Sequence, residues 1–241
     1  MIRILLCGEG VTDVGQTQVW DDEKSDFADC DGWLQPVVRA IVDRRISFGS
    51  RRRRELILLP REQKKFQPLP PGHGAKALMA KFIATSEKFD AVIFMVDADG
   101  KNAKDWQRRR KEIIYGFELV QSEVRSIACV PKCTSESWLL SDSNAWRKVG
   151  LRDAACLPDR PEDSWGHRAD SNGNHPHQSF ARACANAGID DSRDTRVALA
   201  TATDLAILAQ KCPISFSAFK SDLTRTPFQD QNCKCGNDCC S

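Results

Sequence analysis

Long hydrophobic runs are missing from this 241-residue sequence. None approaches the roughly 20 apolar residues that cross a bilayer as a helix. The opening run Met1-Ile2-Arg3-Ile4-Leu5-Leu6 is too short for the core of a secretory signal. It leads straight into Gly8-Glu9-Gly10 with no small-residue cleavage site. A cytoplasmic protein with no membrane association is therefore expected. A surplus of one charge is missing too, since 35 basic side chains meet 33 acidic ones for a net charge of +2. Total charge thus does not mark the chain as a nucleic-acid binder. There is no internal repeat.

Cysteine, by contrast, is abundant. The eleven are odd in number and irregularly spaced, which argues against a disulfide framework and for a reduced environment. Cys7 and Cys129 sit in apolar strand patterns, where cysteine serves as a small hydrophobe. Four of the others, Cys233, Cys235, Cys239 and Cys240, crowd the last residues. Four thiolates can hold Zn²⁺, although C-x-C-x₃-C-C is not a usual zinc-ribbon spacing. His167, His175 and His177 share one polar segment; His-x-His can bind zinc, but the reading favoured is plain surface residues.

Charge is local rather than global. Arg44, Arg45 and the run Arg51, Arg52, Arg53 and Arg54 form one basic block. Arg108, Arg109, Arg110 and Lys111 form a second, and Asp21–Asp31 is acidic. Each block is either a phosphate-binding patch or a solvated face.

The apolar runs Ile2–Cys7, Glu55–Leu59, Ala91–Val96 and Arg125–Val130 predict strands. Helical spacing fills the intervals at 33–46, 73–87 and 103–121. Strands alternating with helices predict an α/β fold with a mostly parallel sheet flanked by helices. In such sheets, sites gather beyond the strand carboxyl ends. A domain over 1–150 is followed by a loop and helical extension over 151–226 packed on it, then a Cys-rich polar tail over 227–241. Within the extension, 151–178 reads as a long loop. Helices are expected at 179–187 and 195–211, and another packs through Ile214, Phe216, Phe219 and Leu223.

Carboxylates follow three of the four strands. Glu9 and Asp13 follow the first, where the flanking glycines are expected to let the chain turn and present Glu9. Asp97 and Asp99 follow the third in Asp-Ala-Asp-Gly, and Glu136 and Asp142 follow the fourth. Alternation would point Asp97 and Asp99 to one side, a costly placement unless a cation lies between them. Mg²⁺ prefers carboxylate and water oxygens. For Glu136 the competing role is structural, as the acid in a helix first turn capped by Ser135 or Ser137.

The segments CGEGVTD, GHGAKALMAKF, FDAVIFMVDADG, SESWLLSD and CPISFSAFKSDL resemble, in this order, a small stand-alone Toprim-like family of prokaryotes. That family is related to the Toprim domains of overcoming-lysogenization-defect nucleases and is often encoded beside ATPases in defence-type gene clusters. The likeness runs from about Ile2 to Asp222. It implies that Glu9 is a general acid–base or metal-contacting group, that Asp97 and Asp99 bind Mg²⁺ or Mn²⁺, and that Asp13 and Glu136 are further metal-site acids. The implied activity is metal-dependent cleavage of DNA or RNA in an ATPase-linked anti-phage system. The alternative is a non-catalytic regulatory or binding subunit of an ATPase complex. Lys132 is read either as a cation for the phosphorane or as a surface lysine. The acidic insert and the Cys-rich tail depart from the family pattern. Oligomerisation is left open.

Of two other readings, one is rejected and one disfavoured on residue grounds. A topoisomerase needs a tyrosine nucleophile, and the single tyrosine, Tyr115, lies among expected core positions of a helix. A haloacid-dehalogenase-type phosphatase carries Asp-x-Asp-Gly after its first strand, followed by Thr or Val. Here the motif follows a later strand and Lys101 comes next.

Overall fold

The computed structural model describes residues 1–16 and 32–225. The acidic insert and the Cys233, Cys235, Cys239 and Cys240 cluster lie outside the described residues. Four strands, β1 (Ile2–Gly8), β2 (Ile46–Arg52), β3 (Ala91–Met95) and β4 (Arg125–Cys129), form one sheet in the order β2-β1-β3-β4. Every neighbouring pair is parallel, so all four carboxyl ends reach the same edge. The fold is α/β.

Strand alternation divides the interior in two, as expected for a parallel sheet covered on both faces. Leu5, Cys7, Val92, Phe94 and Ala128 face helices α4 (Gly72–Ser86) and α5 (Ala103–Glu118). Those helices cross closely at Gly74 and Gly116; a Cβ on Gly116 would stand 2.0 Å from the Gly74 carbonyl oxygen, so no side chain fits there. Ile4, Leu6, Ile93, Met95, Ile127 and Cys129 face the other way. They pack with helix α2 (Leu34–Ile41) and a cap of short helices. These are α6 (Glu136–Leu139), α7 (Ser143–Lys148), α8 (Pro176–Ala187), α9 (Arg193–Ala202), α10 (Leu205–Lys211) and α11 (Ser215–Thr224). Trp138 is the hub of that cap. Its ring lies 5.2 Å from Phe216, 5.5 Å from Phe219 and 6.1 Å from Trp33, and its Nε1 donates to Ser215 Oγ at 2.8 Å. Residues 1–150 and the extension thus share this core.

Three expectations are corrected. The second strand is Ile46–Arg52, not Glu55–Leu59. In the latter segment Leu56 and Leu58 are buried while Ile57 and Leu59 are exposed, which mimics strand alternation. Its carbonyls are satisfied by side chains instead, Leu56 O by Lys76 Nζ and Leu58 O by Gln63 Nε2, the latter from α3 (Pro60–Gln63). The helix expected over 195–211 breaks at Thr203–Asp204. Asp142 Oδ2 accepts the Asp204 N–H, and the Asp204 carboxylate caps α10 through the Ala206 N–H. Tyr115 is 54% exposed rather than in the core. No helix among the described residues is long and apolar enough to cross a membrane.

Candidate metal centre

The sheet register assembles the site. Cys7 lies opposite Arg51 and Gly8 opposite Arg52, so the next step along each strand faces Glu9 toward Arg53. The Arg53 Nη1 lies 2.8 Å from Glu9 Oε1. Beyond β3 the backbone keeps pairing with the chain after β4: Val96 N–H donates to Cys129 O, Ala98 N–H to Pro131 O and Asp99 N–H to Cys133 O. Asp97 and Asp99 are held in that extension. Both lie past the strand itself, and Asp99 takes a left-handed conformation with φ 49°. Strict strand alternation therefore does not describe the pair. Neither Gly8 nor Gly10 has positive φ; Gly10 is extended, as the N-cap of α1 (Val11–Val14). Glu9 is presented by the strand end and the start of this short helix.

Asp13, on α1, accepts a 2.8 Å hydrogen bond from Trp33 Nε1. Glu136 opens α6 and is 6% exposed. Its Oε1 receives Arg196 Nη2 at 3.0 Å and lies 3.3 Å from His177 Nδ1. Arg196 is held in turn by Asp191 and lies over the Phe180 ring. Ser135 and Ser137 do not cap α6 through their side chains. Asp142 instead caps α7 and is bound to Asp204, a structural role.

Asp97 is the centre of the cluster. Its Oδ1 is buried and has no hydrogen-bond partner among the described residues. Burial, and then the charges of Glu136, Asp13, Asp99 and Glu9, hold its carboxyl well above the usual range. The sequence-identified acids are therefore close enough to act on one another. Asp99 is also raised, by burial and then Glu9, with Arg109, Arg168 and His175 pulling the other way. Asp13 is raised chiefly by burial, against the Trp33 hydrogen bond. Glu136 goes the opposite way. Burial alone would raise it, but the His177 hydrogen bond and the Arg196 charge keep it well below the usual carboxylate range.

As the side chains stand, no three His, Cys, Asp or Glu among the described residues form a group that could hold a metal ion. The donor chemistry nevertheless suits one cation. Mg²⁺ is typically held by one or two carboxylates and several waters. A buried carboxylate oxygen with no partner, beside a second carboxylate, is what such binding requires of the protein.

The basic candidates divide. Arg53 pairs with Glu9, and Arg109, itself paired with Glu112 at 3.1 Å, acts through its charge on Asp99 and His73. Arg51 pairs with Glu87, Arg52 with Glu55, Arg108 with Asp105 and Arg110 with Asp222. Arg54 is exposed. Lys132 is not a surface lysine: it is 5% exposed, with Nζ 2.7 Å from Asp163 Oδ1.

The reading of the histidines as surface residues is likewise corrected for two of them. His177 contacts Glu136, and His175 is 6% exposed and caps α8. With Cys133, which has φ 65° just after β4, His175 imitates a thiol–imidazole pair at 3.8 Å. The chemistry is wrong for nucleophilic catalysis. Burial, and then Asp97, Asp99 and Glu136, push the Cys133 thiol up to about 12. His175 Nδ1 accepts from the His177 N–H, so in the neutral ring Nε2 carries the proton and cannot take one.

Protein-family models, curated proteins and solved structures give no match to this chain.

Proposed function

We propose that the chain is a Mg²⁺- or Mn²⁺-dependent nuclease, cleaving phosphodiesters of DNA or RNA. Following the family it resembles, it would act as the effector of an ATPase-linked prokaryotic anti-phage system. One observation carries the reading: a buried carboxylate oxygen on Asp97 without a hydrogen bond among the described residues, amid four further acids at the carboxyl edge of a parallel sheet. In water-accessible folds such a concentration of like charge costs stability unless a cation or a chemical task accounts for it.

Asp97 and Asp99 would hold the cation. When bound, it would supply Lewis-acid stabilisation and lower the pKa of an attacking water. Glu9, half-exposed at the mouth, is placed to take or give a proton there. Its link to Arg53 is an exposed pair worth under about 1 kcal/mol, so an incoming phosphate can take over the guanidinium at little cost. Asp13 and Glu136 supply negative charge from behind, with Trp33 and Arg196 fixing their positions.

The test is cleavage of DNA and RNA with Mg²⁺, Mn²⁺ or chelator, with and without any ATPase encoded beside it. Activity that survives chelation, or survives Glu9→Gln and Asp97→Ala together, ends the metallonuclease reading. The second reading is a non-catalytic subunit of an ATPase complex. It is favoured by one feature: Glu9 and Glu136 are both engaged by arginines, and no three-donor group stands ready among the described residues. Absence of turnover under every combination, with stable binding to the ATPase, would establish it.

A further inference from the structure

The loop between Pro161 and His175 is built more firmly than its composition suggests. At its start, Glu162 is 2% exposed and accepts from Ile214 N–H at 2.8 Å and Ser215 N–H at 2.6 Å. Asp163 holds Lys132. At its end, Arg182 donates to the carbonyls of Ser171 and Gly173, and Gln178 donates to that of Arg168. Between these anchors lie Trp165 and Arg168.

Trp165 is 38% exposed, while Trp33, Trp138 and Trp146 are fully buried. One side of its ring meets the His175 ring at 6.1 Å. His175 reaches Cys133 at 3.8 Å, and the Cys133 carbonyl accepts the Asp99 N–H at 3.0 Å. The indole therefore stands at the rim of the acidic site, backed by a ring that is itself buried. Arg168 is exposed, and its guanidinium makes no ion pair or hydrogen bond among the described residues. Its charge also acts on Asp99. A partly exposed indole and a free guanidinium three residues apart, beside a site that would cut a phosphodiester, match the two repeating groups of an unpaired strand. Bases stack on aromatic faces and phosphates seek arginine. In a duplex the base faces are already stacked on one another and do not reach a single rim indole.

Resting on the nuclease reading, we infer that the substrate is single-stranded nucleic acid, with Trp165 stacking an unpaired base and Arg168 holding an adjacent phosphate. The acid cluster would then receive the next linkage along the strand. Duplexes would be used only at ends, gaps or unwound stretches. That specificity is compatible with a partner that opens duplexes.

Binding in chelator isolates the inference from catalysis. Fluorescein-labelled 12-nucleotide single strands of DNA and of RNA, and the matching blunt duplexes, would be titrated by anisotropy against the full chain. The expected result is tighter binding of the single strands. Trp165→Leu should weaken that binding roughly 5- to 150-fold, the range for loss of one stacked base. Trp165→Tyr should recover most of it, which a purely packing role would not require. Arg168→Gln should lower the salt slope by about 0.7 on single strands. Comparison of the DNA and RNA arms tells which strand is preferred. Equal losses on duplex and single strand, or no loss with Trp165→Leu, overturn the inference and leave the nuclease reading standing. A wild-type protein that neither binds nor cleaves any of the four probes overturns both.

Discussion

The Arg53 guanidinium reaches across the sheet edge to the Glu9 carboxylate at 2.8 Å, one register step beyond the last paired residues of β1 and β2. Glu9→Gln preserves the shape of that contact but removes the base and the charge. Turnover is expected to fall by about 10²- to 10⁴-fold, with substrate affinity within a few-fold of wild type. Single-turnover cleavage alongside anisotropy in chelator measures both. A variant that loses binding and cleavage in parallel would reassign Glu9 to substrate recognition.

Asp97 contributes to the pH dependence of stability in the metal-free protein. Its native carboxyl holds a proton more tightly than the unfolded chain does. Its contribution is therefore complete below the unfolded value near 3.9 and is lost as pH rises toward the raised native value. Stability in chelator should fall across that window, and Asp97→Asn should flatten the fall. At neutral pH the variant should melt no lower than wild type. Mg²⁺ at about 100 times its Kd should stabilise wild type by about 2.7 kcal/mol, or roughly 5–10 °C. Asp97→Asn should gain little. Equal Mg²⁺ stabilisation of both proteins in a thermal melt would remove Asp97 from the cation site.

The Glu136–Arg196 pair behaves oppositely. Both side chains are about nine-tenths buried, so removing one strands the other. Arg196→Met is expected to cost about 3–5 kcal/mol and lower Tm by roughly 6–20 °C. Because the native Glu136 carboxyl lies below its ordinary range, its contribution is present above the unfolded value near 4.3 and fades as pH falls below it. The Tm gap between Arg196→Met and wild type should narrow in acid. A constant gap from pH 3 to pH 8 would point to lost packing against Phe180 instead.

The basic blocks should separate in a salt titration. Arg53→Gln and Arg109→Gln, whose charges act at the acid cluster, are each expected to reduce the slope of log affinity against log salt by about 0.7–0.9. Arg108→Gln and Arg110→Gln, whose partners Asp105 and Asp222 are not among the five acids, should leave it unchanged. The reverse pattern would place the phosphate path along the outer face of α5.

Three of the four strands could be read from apolar runs closed by Gly, Asp or Pro. The second could not. Ile46–Arg52 carries Gly49 in its middle and two arginines at its end, and so lacks an apolar signature. The decoy at Glu55–Leu59 has two leucines turned inward and two apolar side chains turned out. Periodicity alone cannot reject such a segment. For the site, acids after strand ends are a local signal, and all five could be named. What fixes them is not local. Trp33 lies 20 residues from Asp13, His177 41 residues from Glu136 and Arg196 60 residues from Glu136. Nothing in the spacing of a single sequence announces those pairings, and so His177 read as a loop residue.

The same separations impose an order of assembly on a growing chain. All five acids have been synthesised by residue 136, but the arginine that neutralises the last of them comes 60 residues later, in α9. Trp138 likewise waits for Phe216 and Phe219 to close over it. A ribosome-bound or prematurely ended chain therefore carries Glu136 without the Arg196 counter-charge and Trp138 without its apolar lid. Full pairing of the cluster thus waits for α9, and closure of the Trp138 hub for α11.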